Sequence, residues 1–241
     1  MKKTIGILAH VDAGKTTFCE QVLYLTKSIR NKGRVDHKNS FLDNHEIEKE
    51  RGITVFSEQA IFNLNSSTYY IIDTPGHIDF SCEMERSINV MDYAVIILSG
   101  VEGIQGHTKT VWNLLEKNNV PTFIFINKMD RAGYDKESIK RGMHRELSKD
   151  IFFMDKEDID ITKDHGKYIN FNEELIEFIS EHDEELLEKY LNGEYDNNIY
   201  EKKLKELIKD RRVFLAFGGS ALNNEGVEEF LYAMDELSIT N

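Results

Sequence analysis

An apolar run, Thr4-Ile5-Gly6-Ile7-Leu8-Ala9, leads directly into His10-Val11-Asp12-Ala13-Gly14-Lys15-Thr16-Thr17. The run has the length and composition of a buried parallel strand, and the residues from Thr16 to about Ser28 predict a helix. Between them, Gly14-Lys15-Thr16 matches the end of the G-x-x-x-x-G-K-[ST] pattern, with Ala9 where its first Gly stands. Such a turn aims successive backbone N–H groups at an anion, and the helix that follows adds its positive end. In this pattern the lysine supplies a point charge to β/γ-phosphate oxygens and the Thr16 hydroxyl ligates Mg²⁺. The tripeptide alone points to a nucleoside triphosphate; an ordinary strand–helix turn is its rival until a real strand and helix flank it.

The remainder of the chain supplies that context. Residues 54–63 and 67–73 read as a hairpin around a turn at 64–66. A helix at 80–91, a strand at 93–99, a helix at 108–117 and a strand at 121–127 then alternate, and a strand at 213–217 and a helix at 227–237 close the pattern. Strands spaced by helices imply a mostly parallel sheet covered on both faces, joined by right-handed crossovers. The fold class is therefore α/β, the three-layer sandwich of phosphate-loop NTPases. Residues 29–51 are polar and weakly periodic, a long irregular stretch of the kind that carries function. Between 130 and 212, charged helices at 136–147, 173–181, 184–191 and 200–208 surround two short β-like pieces at 151–154 and 167–171. This segment reads as a small inserted subdomain, 131–211, within a nucleotide-binding domain made of 1–130 and 212–241.

Composition excludes several classes. Forty-three acidic against 30 basic residues give a formal charge of −13, which argues against a broad basic face for nucleic acid. The acidic excess between 155 and 188 reads as solvated surface. It includes a run at 155–164 that lacks the central Gly of a Ca²⁺ loop. No apolar stretch is long enough to span a bilayer, and the opening residues leave no room for a signal peptide, so a cytoplasmic protein with no membrane partner is expected. Cys19 and Cys82 suggest neither a metal knuckle nor a disulfide partner.

Four further motifs sit at strand ends. Asp73-Thr74-Pro75-Gly76-His77 ends the second arm of the hairpin. Its carboxylate is suited to hold a Mg²⁺ water, and Gly76 permits close approach of backbone to a γ-phosphate. Asn127-Lys128-Met129-Asp130 ends the strand at 121–127. The Asp130 carboxylate can accept from guanine N1–H and N2–H₂, donors that adenine lacks; leaving such a charge unpaired costs about 1.5–3 kcal/mol, so the motif selects GTP. Gly219-Ser220-Ala221-Leu222 follows the last strand, where backbone amides can meet guanine O6. Arg51-Gly52-Ile53-Thr54 closes the long polar stretch, and the Thr54 hydroxyl can complete the Mg²⁺ shell while the γ-phosphate is present, an order–disorder switch.

In this order the motifs resemble those of the translational GTPases, in particular elongation factor G and the tetracycline-resistance ribosomal protection proteins. Residues 9–17, 50–54, 71–80 and 127–130 carry the resemblance, which covers most of 3–135 and returns at 187–222. It implies GTP hydrolysis to GDP and phosphate, stimulated by the ribosome. Lys15 would meet the phosphates, with Thr16 and Thr54 on Mg²⁺ and Asp73 behind it through water. Gly76 would contact the γ-phosphate, and Asn127, Lys128 and Asp130 would form the base pocket. Asp12 matches a carboxylate associated in that group with a monovalent cation, and Val11 and Ile53 match an apolar gate. His77 would turn toward the attacking water when ribosomal RNA pulls it into place. The catalytic set is then His77, Lys15 and Thr54.

Arg131-Ala132-Gly133 favours elongation factor G. Asp43-Asn44, the opening at 6–12 and the short insertion favour the protection group, which is the expectation adopted. A translocase of the elongation factor G type, or a nucleotide-dependent switch acting on a protein partner, is the alternative. Both families continue beyond the point where this chain stops, so it reads as a fragment of a longer multidomain protein.

Overall fold

The computed structural model describes residues 1–29, 58–73, 81–162 and 167–239. The readings placed on 51–54 and on Thr74, Pro75, Gly76 and His77 lie outside the described residues, as do those on 29–51 after the first residue.

The chain runs β1 (Lys2–Ala9), α1 (Lys15–Leu25), β2 (Glu58–Leu64), β3 (Ser67–Asp73), α2 (Ser81–Ile88), β4 (Tyr93–Ser99), α3 (Gly106–Lys117) and β5 (Thr122–Asn127). It continues through α4 (Lys136–Glu146), β6 (Ile151–Met154), α5 (Glu173–Ser180), α6 (Glu184–Leu191), α7 (Asn197–Lys209), β7 (Phe214–Gly218) and α8 (Val227–Leu237). Among the described residues seven strands form one sheet in the order β2-β3-β1-β4-β5-β7-β6, with β2 antiparallel at one edge and the other pairings parallel.

The strand period of two divides the core into two layers. Ile5 and Ile7, Tyr93 and Val95, Phe123 and Phe125, and Leu215 and Phe217 face one layer, together with α1 and α8. Leu8, Ala94, Ile96, Ile124, Ile126 and Ala216 face the other, against α2, α3 and α4. Burial on both faces explains why these strands read as continuous apolar runs. Phe18 of α1 stacks within 4.9 Å of Phe125 and 5.7 Å of Phe230, so α1 is pinned beneath β5 and α8. Burying each such ring contributes about 1.5–3 kcal/mol. That packing fixes where the start of α1 lies.

Residues 131–211 share this architecture more closely than an appended unit would. β6 pairs in parallel with β7 and extends the main sheet, and Leu175, Ile179, Leu204 and Leu207 lie in the same buried cluster as Phe217 and Phe230. The β-like piece read at 167–171 is not a strand: it makes a single bridge, Ile159 to Ile169. The Glu236 carboxylate on α8 accepts the backbone N–H groups of Tyr168 and Ile169, doing the job a neighbouring strand would do. Burial pushes that carboxyl upward, against the two hydrogen bonds. Trp112 on α3 lies 4.6 Å from Phe214 with the Arg211 guanidinium 5.3 Å from its ring. Among the described residues, no helix is long and apolar enough to cross a membrane.

Candidate functional site

The end of β1, the start of α1 and the residues after β5 and β7 come together at the C-terminal ends of the parallel strands. The chain leaves β1 at Ala9 and turns through Asp12 and Gly14, both left-handed at φ +63° and +92°. Asp tolerates that region and Gly favours it. Ala13 N–H donates back to the His10 carbonyl at 3.3 Å, closing the turn. A Cβ on residue 14 would lie 2.3 Å from Asn127 Nδ2, so only glycine fits between the loop and β5.

α1 begins at this turn with no side-chain cap on Gly14 and no acidic residue in its first turn. Elsewhere Asp135, Asn172, Asp183 and Asp196 cap α4, α5, α6 and α7 through their side chains. The bare end leaves the first N–H groups of α1 and its positive dipole for an anion. Lys15 lies in that first turn and is buried, 8% exposed; Thr16 and Thr17 beside it are half-buried. β3 lies alongside β1 with Asp73 in register with Ile7, which brings the end of β3 to the same end of the sheet. This donor set suits a triphosphate with Mg²⁺. The described residues contain no cluster of three or more His, Cys, Asp or Glu that could hold a metal ion.

The residues after β5 brace the loop from above. Asn127 is 3% exposed. Its Nδ2 donates to the Ala13 carbonyl at 2.9 Å, and its Oδ1 accepts the Ala221 N–H at 2.9 Å. Lys128, left-handed at φ +64°, lays its stem across the loop and donates its ammonium to the Asp12 carbonyl. Met129 N–H donates to the Gly219 carbonyl at 3.1 Å, and Gly219 N–H to Ile126 at 2.9 Å. Ser220 pairs with Glu225 in both directions, at 3.0 and 2.9 Å, and forms the base of a tight loop. Ser220 and Ala221 are buried, while Leu222 and Asp130 are exposed. The structure therefore joins Asp12, Ala13 and Gly14 of the phosphate loop to Asn127 and Lys128, and Asn127 in turn to Ala221.

Two contacts were not legible in the sequence. His10 is 8% exposed, with Nε2 3.6 Å from Glu102 Oε2. Burial pushes this imidazole below its ordinary range, opposed by the Glu102 charge. Gln21 on α1 donates to Asn224 in the loop beyond Leu222 at 2.6 Å. The only sequence signal for either was position: Glu102 in a Gly-bounded turn, Asn224 in Asn223-Asn224-Glu225-Gly226.

Gly14→Ala tests the packing of the loop. The methyl would meet Asn127 Nδ2 and force a left-handed alanine, a strain of about 1–2 kcal/mol before any clash. A drop in melting temperature of roughly 4–8 °C follows for a chain this size, taking a total of about 2 kcal/mol. Thermal denaturation by circular dichroism checks it; an unchanged midpoint would show that the loop yields freely.

A left-handed glycine turn after a parallel strand, an uncapped helix carrying a buried lysine, and a cross-braced motif after the neighbouring strand define a phosphate-loop nucleotide-binding domain. The elongation factor Tu GTP-binding domain model matches residues 2–239, and the chain belongs to that family. It is 40% identical over 240 residues to tetracycline resistance protein TetP of Clostridium perfringens, an alignment covering 96% of this chain and 37% of that protein. TetW of Butyrivibrio fibrisolvens is 36% identical, covering 97% and 36%. Elongation factor G of Dehalococcoides mccartyi is 36% identical, covering 96% and 38%. A crystal structure from Thermus thermophilus superposes with a TM-score of 0.85 at 24% identity, over 99% of this chain and 40% of that one, and shares the fold. The chain thus spans a little over a third of the length of these three relatives.

Proposed function

We propose that this chain is the GTP-hydrolysing switch of a ribosome-dependent translation factor of the tetracycline-protection type. The observation that carries the reading is the cross-brace itself. Asn127 and Lys128 bind the phosphate loop from the base side, so base choice and phosphate grip form one rigid unit. The 40% identity to a tetracycline resistance protein supports the member chosen, with elongation factor G as the alternative.

Lys15 meets the β/γ-oxygens, the α1 amides hold the phosphates, and Asp130 takes guanine N1–H and N2–H₂, with Ser220, Ala221 and Leu222 closing the base side. Thr16, Thr54 and, through water, Asp73 would hold Mg²⁺, which neutralises charge on the β- and γ-oxygens. Water attacks the γ-phosphorus; the bond to the β–γ bridging oxygen breaks, its electron pair goes to GDP, and phosphate leaves. His77 orients that water, with Gly76 at the γ-phosphate and Val11 and Ile53 beside it. Ribosomal RNA brings His77 into line, and the exposed Asp12 carboxylate attracts a monovalent cation. Residues 131–211 are an insertion that joins the main sheet through β6, in a cytoplasmic factor whose remaining domains touch the ribosome.

His77→Ala is the test. It should keep GTP affinity and lose ribosome-stimulated turnover by about 10²-fold, the scale for a group that holds a reactant in line. Unchanged stimulated turnover removes His77 from the mechanism. Growth under tetracycline with the whole gene expressed separates protection from translocation.

A further inference from the structure

The loop that follows β7 is tied to the nucleotide-binding end of the sheet twice. One tie is Ala221 N–H to Asn127, whose other amide end holds Ala13 of the phosphate loop. The other runs behind it. Gln21, 1% exposed on the inner face of α1, donates Nε2 to Asn224 Oδ1 at 2.6 Å. The four segments close a circuit: phosphate loop to Asn127, Asn127 to the loop at 220–225, that loop to α1, and α1 back to the phosphate loop through Gly14.

Stability alone does not call for this tie. Gln21 lies on the same helix as the buried Phe18 and Val22, and its Oε1 is buried with no hydrogen-bond partner among the described residues. Burying an amide with half its polar capacity unmet is unfavourable, and an apolar side chain of similar volume would fill the site at less cost. The amide's one hydrogen bond among the described residues goes to the loop. Asn224 is left-handed at φ +61°, a conformation that would itself select Asn or Gly, so backbone and hydrogen bond must be tested apart.

We propose that Gln21 and Asn224 are a positioning pair that holds the 220–225 loop closed against α1 and so sets how long a guanine nucleotide stays bound. The proposal rests on the reading of Ser220, Ala221 and Leu222 as the base-side loop. Opening that loop would require breaking a hydrogen bond 2.6 Å long whose donor, on buried Gln21, has no other partner among the described residues to turn to.

The experiment measures release of N-methylanthraniloyl-GDP from this chain by stopped flow, with KM and kcat for GTP. Gln21→Leu keeps the volume and removes the donor; Asn224→Gly keeps the left-handed backbone and removes the acceptor. Each should speed release roughly three- to tenfold, the worth of one neutral hydrogen bond, and raise KM by a similar factor while kcat stays within about twofold. The double variant should release no faster than the faster single one. Asn224→Asp should restore native release, because its carboxylate accepts the same N–H and tolerates φ > 0. Melting curves show whether each variant is folded; if Gln21→Leu is not, the contrast of Asn224→Gly with Asn224→Asp decides alone. Native release from Asn224→Gly, or a double variant in which the two effects multiply, overturns the pair. The base-loop reading is tested separately in the unmodified chain with 6-thioguanosine diphosphate, which keeps N1–H and N2–H₂ and carries a weakly accepting sulfur in place of O6. Equal affinity for this and GDP overturns that reading and the pair with it; discrimination alongside native release in the variants overturns the pair alone.

Discussion

Lys15→Ala is expected to lower GTP affinity by about three orders of magnitude, and to leave a folded chain. The proposed contact pairs an ammonium with phosphate oxygens in a recess where Lys15 is only 8% exposed. Two unit charges about 4 Å apart interact by about 4 kcal/mol at an effective dielectric of 20, and about 4 kcal/mol is a factor of roughly 10³ in affinity. The remaining grip, the uncapped first turn of α1, has backbone donors that the substitution does not touch. The variant should therefore bind weakly rather than not at all. Helix propensity favours alanine over lysine slightly, so α1 itself is not weakened. Titration with a fluorescent GTP analogue reads the affinity, and far-UV circular dichroism reads the fold. Affinity within tenfold of the unmodified chain would mean that Lys15 points elsewhere when nucleotide is bound.

That the loop could be found at all follows from where the sequence concentrates information. β1, β4 and β5 are buried on both faces, and they read as continuous apolar runs ending where the structure ends them. α6 and α8 were legible to the residue, because each is amphipathic and bounded by a helix-starting Asp183 or Gly226. Residues 131–211 read as standing apart for a physical reason. A four-residue edge strand such as β6 carries little periodic signal, and its place in the sheet is set by partners on β7 far along the chain. Tyr168 and Ile169 looked like a strand because they are β-formers; what satisfies their amides is a glutamate on another helix, which no local pattern announces. At the site the same division holds. Gly14, Lys15 and Asn127 were legible because their chemistry is bound to local backbone geometry. Gln21, Asn224 and the Glu102 contact of His10 were not, because each depends on a side chain from a distant segment meeting another in the folded chain.

Asp130→Asn should exchange base preference, moving selection from GTP toward xanthosine triphosphate by about 10³–10⁴-fold, the product of a loss on one base and a gain on the other. In the proposed pocket the carboxylate accepts two hydrogen bonds from guanine, at N1–H and N2–H₂. An asparagine keeps one acceptor but turns a donor toward the guanine amino group. Each charge-assisted hydrogen bond lost is worth about 1.5–3 kcal/mol, so GTP binding falls by roughly 10²-fold. Xanthine carries a carbonyl where guanine carries the amino group, and the new amide N–H meets it, so the loss on one side becomes a gain of similar size on the other. The isosteric change should leave the surroundings intact. Asp130 is exposed, and the residue before it is anchored independently, Met129 N–H donating to Gly219 at 3.1 Å. Substitution at such a surface position usually stays within about 0.5 kcal/mol in stability, so an unchanged melting curve should accompany the exchange. Competition binding with the two triphosphates measures it directly. If GTP is still preferred, the base is read by another group, and the rigid unit formed by Asn127, Lys128 and the phosphate loop would then grip phosphates without choosing guanine.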